Sequence, residues 1–319
     1  MAPPVSILSL NHALRLPARP RGPAVAVFAV EPARWARPEA SARQWRFVAE
    51  WLVELRAGLD ARGVPLVVRR GPEAEVIAAI RAAPDAAPGS IPEAAALGLG
   101  FDPCPRRQRG GAAALAAARG DAARMAAHRA WGCVPVRGRA RLAALAGAHA
   151  LDSRPLLGVA APASADDAGF AAWAAGRTGW SIVDAAMRRA RASGVFAPGA
   201  AELAQALAVH VQGIEWRRAG THLARLSTGF DSAPFWLAMQ DAAGLTNADP
   251  GRLLARLARG APSGGADALR AARAGLARRR ACPIFQGSAR DLAMRLGRPE
   301  PKPRRADARQ IEMDLPWPE

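Results

Sequence analysis

Residues 24–68 read AVAVFAVEPARWARPEASARQWRFVAEWLVELRAGLDARGVPLVV, and the change of hydrophobic period within this stretch sets the architecture of the front of the molecule. Residues 24–30 are one continuous apolar run with β-branched and aromatic side chains, stopped by Glu31-Pro32, which is the pattern of a strand buried on both faces. From Ser41 onward Trp45, Val48, Leu52, Leu55 and Leu59 recur at steps of three and four, so a helix is expected, closed by Gly63. Val64–Val68 forms a second apolar run, and Gly71-Pro72 leads into a short helix over Glu73–Arg81. Strand, helix, strand, helix in that order predicts a parallel α/β unit with right-handed crossovers.

Working outward, residues 82–111 are rich in Pro, Gly and Ala and read as a linker or a loosely packed excursion between two domains. Beyond them the composition turns to helix-forming Ala, Leu, Arg and Met, and helices are expected over 112–131, 139–150, 167–175, 181–193, 200–218 and 219–227. No strand pattern returns. The best-specified helix is SIVDAAMRRARASG, residues 181–194, with Ser181 as N-cap, Asp184 at the third position and Gly194 just past the end. Residues 297–319 lose periodicity and gain proline and charge, and read as a disordered tail. The expected division is an α/β domain over 1–81, a linker over 82–111, a helical domain over 112–296 and the tail.

The chain has 319 residues, half of them apolar, which is enough for a sizeable core. Its 44 basic residues against 27 acidic ones give a formal charge of +17, carried almost wholly by arginine, since Lys302 is the only lysine. Arginine forks suit phosphate and carboxylate partners, but an alanine-rich, tyrosine-free composition also reads as a codon bias that loads arginine everywhere. Cys104, Cys133 and Cys282 are odd in number and far apart, so neither a disulfide framework nor a zinc site is supported, and a reducing, cytoplasmic setting is expected. The first residues carry no basic cluster followed by an apolar stretch, and no segment reaches the length of a membrane span. His12, His128, His149, His210 and His222 show no metal-ligand spacing. No G-x-S-x-G elbow and no G-K-[ST] loop occurs, which disfavours hydrolase and nucleoside-triphosphatase chemistry.

Two stretches resemble the DNA photolyase and cryptochrome family. The first is Val25–Val76, whose apolar strand, arginine-containing helix, "ARG-x-x-L-x-V" step and small helix resemble the family's antenna domain. The second is Phe170–Leu226. There Trp173, GRTGWSIVDAAMRRARASG (176–194) and EWRRAGTHLARL (215–226) follow the family's "TG-aromatic-x-x-VDA-x-MR" signature and its tryptophan-arginine helix in order and spacing. The resemblance implies an N-terminal Rossmann-like parallel α/β domain followed by an all-α domain that holds FAD. It further implies blue-light-driven electron transfer from the flavin to damaged pyrimidines in DNA, or signalling. Such a site needs a dry cavity, cations for the pyrophosphate, a carboxylate at the polar ring edge and a tryptophan relay.

For the flavin the resemblance points to Arg177, Arg217, Asp231, Trp236 and Asn247, and for the relay to Trp180, Trp216 and Trp236, each of which could equally be core packing. The family's first aspartate falls at Gly229, so Asp231 is displaced. Several family features are altered. Val195-Phe196-Ala197-Pro198-Gly199 replaces a tryptophan and an asparagine–arginine pair that lie against the flavin. Residues 82–168 are too few for the family's phosphate-gripping loop and substrate-contacting aromatic helix, and the cavity-closing region is reduced to GLTNADPGRLL (244–254). At the start, Val5–Leu10 precedes NHALRL, which keeps Leu14-Arg15-Leu16 and lacks the family's aspartate. Core periodicity is therefore retained while polar site residues are lost.

Near the C-terminus, Arg252, Arg256 and Arg259 share one helical face, as do Arg270 and Arg273, giving either a phosphate-tracking DNA surface or a solvated face. Gln310–Trp317 (QIEMDLPW) resembles a sliding-clamp-binding peptide, with a glutamine, aliphatic side chains and a terminal aromatic. Two readings follow: a divergent, shortened photolyase-like flavoprotein, or a flavin-free, catalytically inactive scaffold that associates with DNA or a clamp.

Overall fold

The computed structural model describes residues 5–11, 13–18, 20–83, 89–134, 167–245 and 249–280, with no side-chain description at Ala233 and at 278–280. The predicted helix over 139–150, Asn247, Cys282, the tail and the Gln310–Trp317 peptide lie outside the described residues.

Three parallel strands, β1 (Ser6–Ser9), β2 (Ala24–Val30) and β3 (Leu66–Arg70), form a sheet in the order β1-β2-β3. The register sets Ser6 opposite Ala24 and Ala26 opposite Leu66. Every residue of β2 is buried, because both faces of the sheet are covered. Phe28 and Val30 pack against the helix α2 (Ala42–Asp60), which contributes Trp45, Val48, Leu52, Leu55 and Leu59, while Val25, Val27 and Ala29 face Val76 and Ile80 of α3 (Glu73–Ala82). Two covered faces explain why the strand reads as an unbroken apolar run. A one-turn helix, α1 (Pro32–Trp35), follows β2. Gly63, at φ 69°, lets the Val64 N–H reach Leu59 O at 3.0 Å and closes α2 as expected. Strand β3 lies two residues later than the apolar run Val64–Val68 suggested: the Ala26 N–H pairs with Pro65 O, and the ladder extends to Arg70.

Residues 89–111 are fastened to α2 rather than loosely packed. The Trp45 indole N–H donates to Pro92 O at 2.8 Å, and Arg56 Nη2 donates to Gly89 O at 2.7 Å. Glu50 accepts from Arg107 Nη1 and Nη2 and from the Gly110 N–H, and pairs with Arg109. Burial alone would raise the Glu50 carboxyl, but these donors together hold it below the usual carboxylate range, and the Arg107 guanidinium is raised in turn. Glu54 accepts the Ala112 N–H at the start of α4 (Ala112–Ala118), placing a carboxylate at a helix N-terminus. Composition could not show this, since the fastening groups belong to another helix.

The helix expected over 112–131 is two helices. Gly120, at φ 85°, ends α4, and Asp121 caps α5 (Ala122–Ala130) by accepting the N–H groups of Ala123 and Arg124 at 2.9 and 3.1 Å. On α5, His128 is fully buried between the rings of Phe47 and Trp51, with centroids at 5.1 and 5.9 Å, and its two ring nitrogens have no partner among the described residues. Burial pushes its pKa down to about 4, so the imidazole is neutral.

The remaining helices are α6 (Asp167–Ala175), α7 (Ser181–Ser193), α8 (Ala200–Ala206), α9 (Trp216–Leu226), α10 (Ser232–Ala242), α11 (Gly251–Ala258) and α12 (Gly265–Arg280). They enclose a second core built on Trp173, Met187, Leu203, Leu207, Leu223, Leu254 and Leu257. No strand occurs in this part among the described residues. The single helix expected over 200–218 breaks after Ala206: a π-turn, Leu207–Val211, and Gly213 at φ 66° intervene before α9. Glu215 then caps α9 by accepting the Arg218 N–H at 2.8 Å. The N-cap of α7 is Trp180, not Ser181. Its start is organised by Asp184, whose carboxylate accepts the Thr178 N–H and hydroxyl at 2.9 and 2.7 Å and the Gly179 N–H at 2.9 Å. Gly194, at φ 76°, ends the helix as expected. No described helix is long and apolar enough to cross a membrane.

Candidate functional site

The two cores are joined at the first turn of α2. Arg43, 4% exposed, donates through Nε and Nη2 to both carboxylate oxygens of Asp102, and through Nη1 to Ala190 O at 2.9 Å and Leu226 O at 3.0 Å. Gln44 Nε2 donates to Ala224 O at 2.9 Å and Ser227 O at 3.1 Å. Carbonyls at the C-terminal ends of α7 and α9 thus find their donors on α2, where a cation also complements the two helix dipoles. Trp131 Nε1 donates to Thr228 O at 2.8 Å and fixes the turn that leads into α10.

That turn positions a pair of tryptophans. Trp216, at the start of α9, and Trp236, one turn into α10, meet edge to face with centroids 5.8 Å apart and planes at 87°. The contact depends on Gly220, because a Cβ there would lie 2.5 Å from Trp236 Cζ3. Trp216 is buried and Trp236 half-buried, and the Trp236 N–H donates to Glu39 Oε1 at 3.2 Å. Arg217 lies over the Trp216 ring at 5.0 Å and pairs with Glu215 at 3.7 Å. Gln205, fully buried on α8, donates through Nε2 to Trp216 O at 2.8 Å, while its Oε1 has no partner among the described residues.

Among the residues singled out from sequence, Trp216, Arg217 and Trp236 come together here. Asp231 is the half-buried residue preceding α10, at the opposite end of α9 from Trp216. Trp180 belongs to the core at another corner, beside Gly265, and makes no aromatic pair among the described residues. Arg177 is exposed on the loop before α7. Residues 195–199 are apolar, with Val195 buried and Phe196 packed on the helical core. One turn on, burial pushes the Glu202 carboxyl above its ordinary range, and Arg256 opposes this. Arg256 also lies over Gly199, where a Cβ would be 2.9 Å from its Nη1. Arg252, Arg259, Arg270 and Arg273 are exposed, and Arg270 pairs with Asp267 at 3.0 Å.

Sequence reasoning missed Glu39, Gln205, Gly220 and Glu202. A glycine inside the α9 pattern was a usable sign of close packing at Gly220. Nothing local marks Glu39, which lies 197 residues from its partner Trp236.

Comparison with known proteins agrees with this fold. Residues 8–88 match the DNA photolyase family, and residues 149–259 match the FAD binding domain of DNA photolyase. An archaeal photolyase from Sulfolobus tokodaii, solved with two FAD molecules, superposes with a TM-score of 0.54 at 15% identity, covering 79% of this chain and 87% of that one. A cryptochrome from Synechocystis sp. gives 0.53 at 14% identity, covering 77% and 83%. A class III photolyase from Agrobacterium tumefaciens gives 0.51 at 15% identity, covering 95% and 93%. No curated protein matches by sequence. At such identities the solved structures attest the fold: an α/β part carrying a small parallel sheet, then a helical part of the FAD-domain type. The two matched regions, the second of which contains the "VDA-x-MR" helix α7, make this chain a member of the DNA photolyase and cryptochrome family.

Proposed function

We propose that the protein is a flavoprotein that binds FAD on its helical part and uses Trp216 and Trp236 as an electron relay, with damaged pyrimidines in DNA as the ancestral substrate. The edge-to-face contact of these two tryptophans carries the reading, because centroids 5.8 Å apart permit hopping of an electron between rings. The residues present fit FAD on this side of the domain. Gln205 offers a buried, unpartnered amide oxygen to a polar ring edge, and Arg217 offers a guanidinium to a phosphate. Arg217, Asp231 and Trp236 would hold the cofactor, with Arg177 as a further cation; Asn247 keeps the role that the resemblance assigns it, and Trp180, packed in the core away from the other two tryptophans, is left out of the relay. Bound FAD would supply a centre that exchanges one electron after absorbing blue light. Gly220 keeps the two rings in contact, and the arginine over Trp216 biases that ring against holding positive charge.

The test is absorbance. Purified protein, or protein reconstituted with FAD, is expected to show flavin bands in the blue, and Asp231→Ala is expected to retain less flavin than the wild type under the same gel filtration. Equal retention would remove Asp231 from the site. Preference for lesion-containing over intact DNA then tests the substrate, since salt-sensitive binding alone reports only an electrostatic contact. The exposed Arg252, Arg259, Arg270 and Arg273, with Arg256 beside them on α11, support a DNA-facing surface.

A second reading is a flavin-free scaffold, catalytically inactive and associated with DNA or a sliding clamp. The buried apolar Val195 and the packed Phe196 favour it, since they stand where relatives present polar groups to the ring. In either reading Gln310–Trp317 would serve as a clamp-binding peptide. Truncation after Arg309 is expected to abolish capture by an immobilised clamp and leave the thermal midpoint of the folded body unchanged; persistent capture would exclude the peptide. Cys104 and Cys133 are buried and form no disulfide, with burial raising the Cys104 thiol above its ordinary range, which suits a reducing cytoplasmic location.

A further inference from the structure

The contact between Trp236 and Glu39 joins the helical part to the segment between α1 and α2. The indole N–H donates to Glu39 Oε1 at 3.2 Å, and Glu39 Oε2 is a buried atom with no partner among the described residues. Arg225 of α9 donates to the neighbouring Pro38 carbonyl at 3.4 Å. The Glu39 backbone is fixed, since its carbonyl accepts from Gln44 Nε2 at 3.3 Å. On the other side, Gly220 and Trp216 hold the indole in place. An indole that has lost an electron is a far stronger acid than a neutral one, and a carboxylate within hydrogen-bond distance of its N–H is an acceptor already in position.

We propose that Glu39 is the proton acceptor of Trp236. When a one-electron oxidant takes an electron from the indole, the Nε1 proton passes to Glu39 Oε1, leaving a neutral indolyl radical and a neutral carboxylic acid while the oxidant is reduced by one electron. Glu39 thereby traps the oxidising equivalent at Trp236 and slows its return to Trp216. This rests on Trp236 being a relay member, as proposed above, but needs no bound flavin to be examined.

The experiment uses the full chain without flavin and a flash-generated ruthenium(III) tris-bipyridine as the oxidant. Transient spectra of wild type minus Trp236→Phe isolate the Trp236 signal from those of the other tryptophans. The wild type is expected to give the neutral indolyl spectrum from the outset. Glu39→Gln, which preserves an acceptor oxygen but is a far weaker base, is expected to give the cation-radical spectrum with slow deprotonation. Identical Trp236 spectra in wild type and Glu39→Gln would overturn the proposal. If Glu39→Gln does not fold, the wild type alone decides: transfer to an internal acceptor makes the deprotonation rate independent of buffer concentration, and a rate that grows with buffer overturns it. Because no flavin is present, failure here is separate from failure of flavin binding.

Discussion

Arg43→Ala is expected to lower the unfolding free energy by about 3–5 kcal/mol, the range for removing one partner of a buried ion pair. The side chain is 5% exposed and its partner Asp102 10% exposed, so alanine would leave a carboxylate nearly buried and without its counter-charge. It would also strip the Ala190 and Leu226 carbonyls of their donor at the ends of α7 and α9. Urea midpoints with an unchanged m-value measure the loss. Removing Asp102 as well should recover part of it, since the double variant no longer holds an unpaired charge. A loss under about 0.5 kcal/mol, the level of an ordinary surface substitution, would mean that the two parts are held together elsewhere.

The second large effect is expected at the family signature itself. Asp184 is 6% exposed and accepts three hydrogen bonds from the Thr178–Gly179 turn. Asp184→Ala should cost about 2–4 kcal/mol, because three donors lose a charged acceptor in a part-buried turn. Asp184→Asn should cost less, since its amide oxygen still serves Thr178 while the Gly179 N–H faces an NH2 group. Thermal unfolding of the pair ranks them. If asparagine proved as damaging as alanine, charge rather than hydrogen-bond geometry would hold the turn.

The α/β part was legible because both faces of β2 are covered and because α2 has a clean apolar stripe from Trp45 to Leu59. The helices at 167–175 and 181–193 were legible for similar reasons, and Gly194 marked a real terminus. Local pattern failed where distant groups decide the outcome. The 89–111 segment looks like a linker until Glu50, Glu54, Trp45 and Arg56 supply its partners. The break at Leu207–Val211 is hidden in an alanine-rich run that would otherwise continue as a helix, with Gly213 its one visible sign. At the candidate site, Trp216, Arg217 and Trp236 could be named because their order along the chain resembles the family's. Their geometry could not, since Gly220 and Glu39 create it from outside the motif.

The most direct measurement is the visible absorbance of the full chain after saturation with FAD and removal of free cofactor. Blue absorbance is expected to co-elute with folded protein at close to one flavin per chain. Colourless protein that stays folded would contradict the flavoprotein reading and leave the flavin-free scaffold as the surviving description.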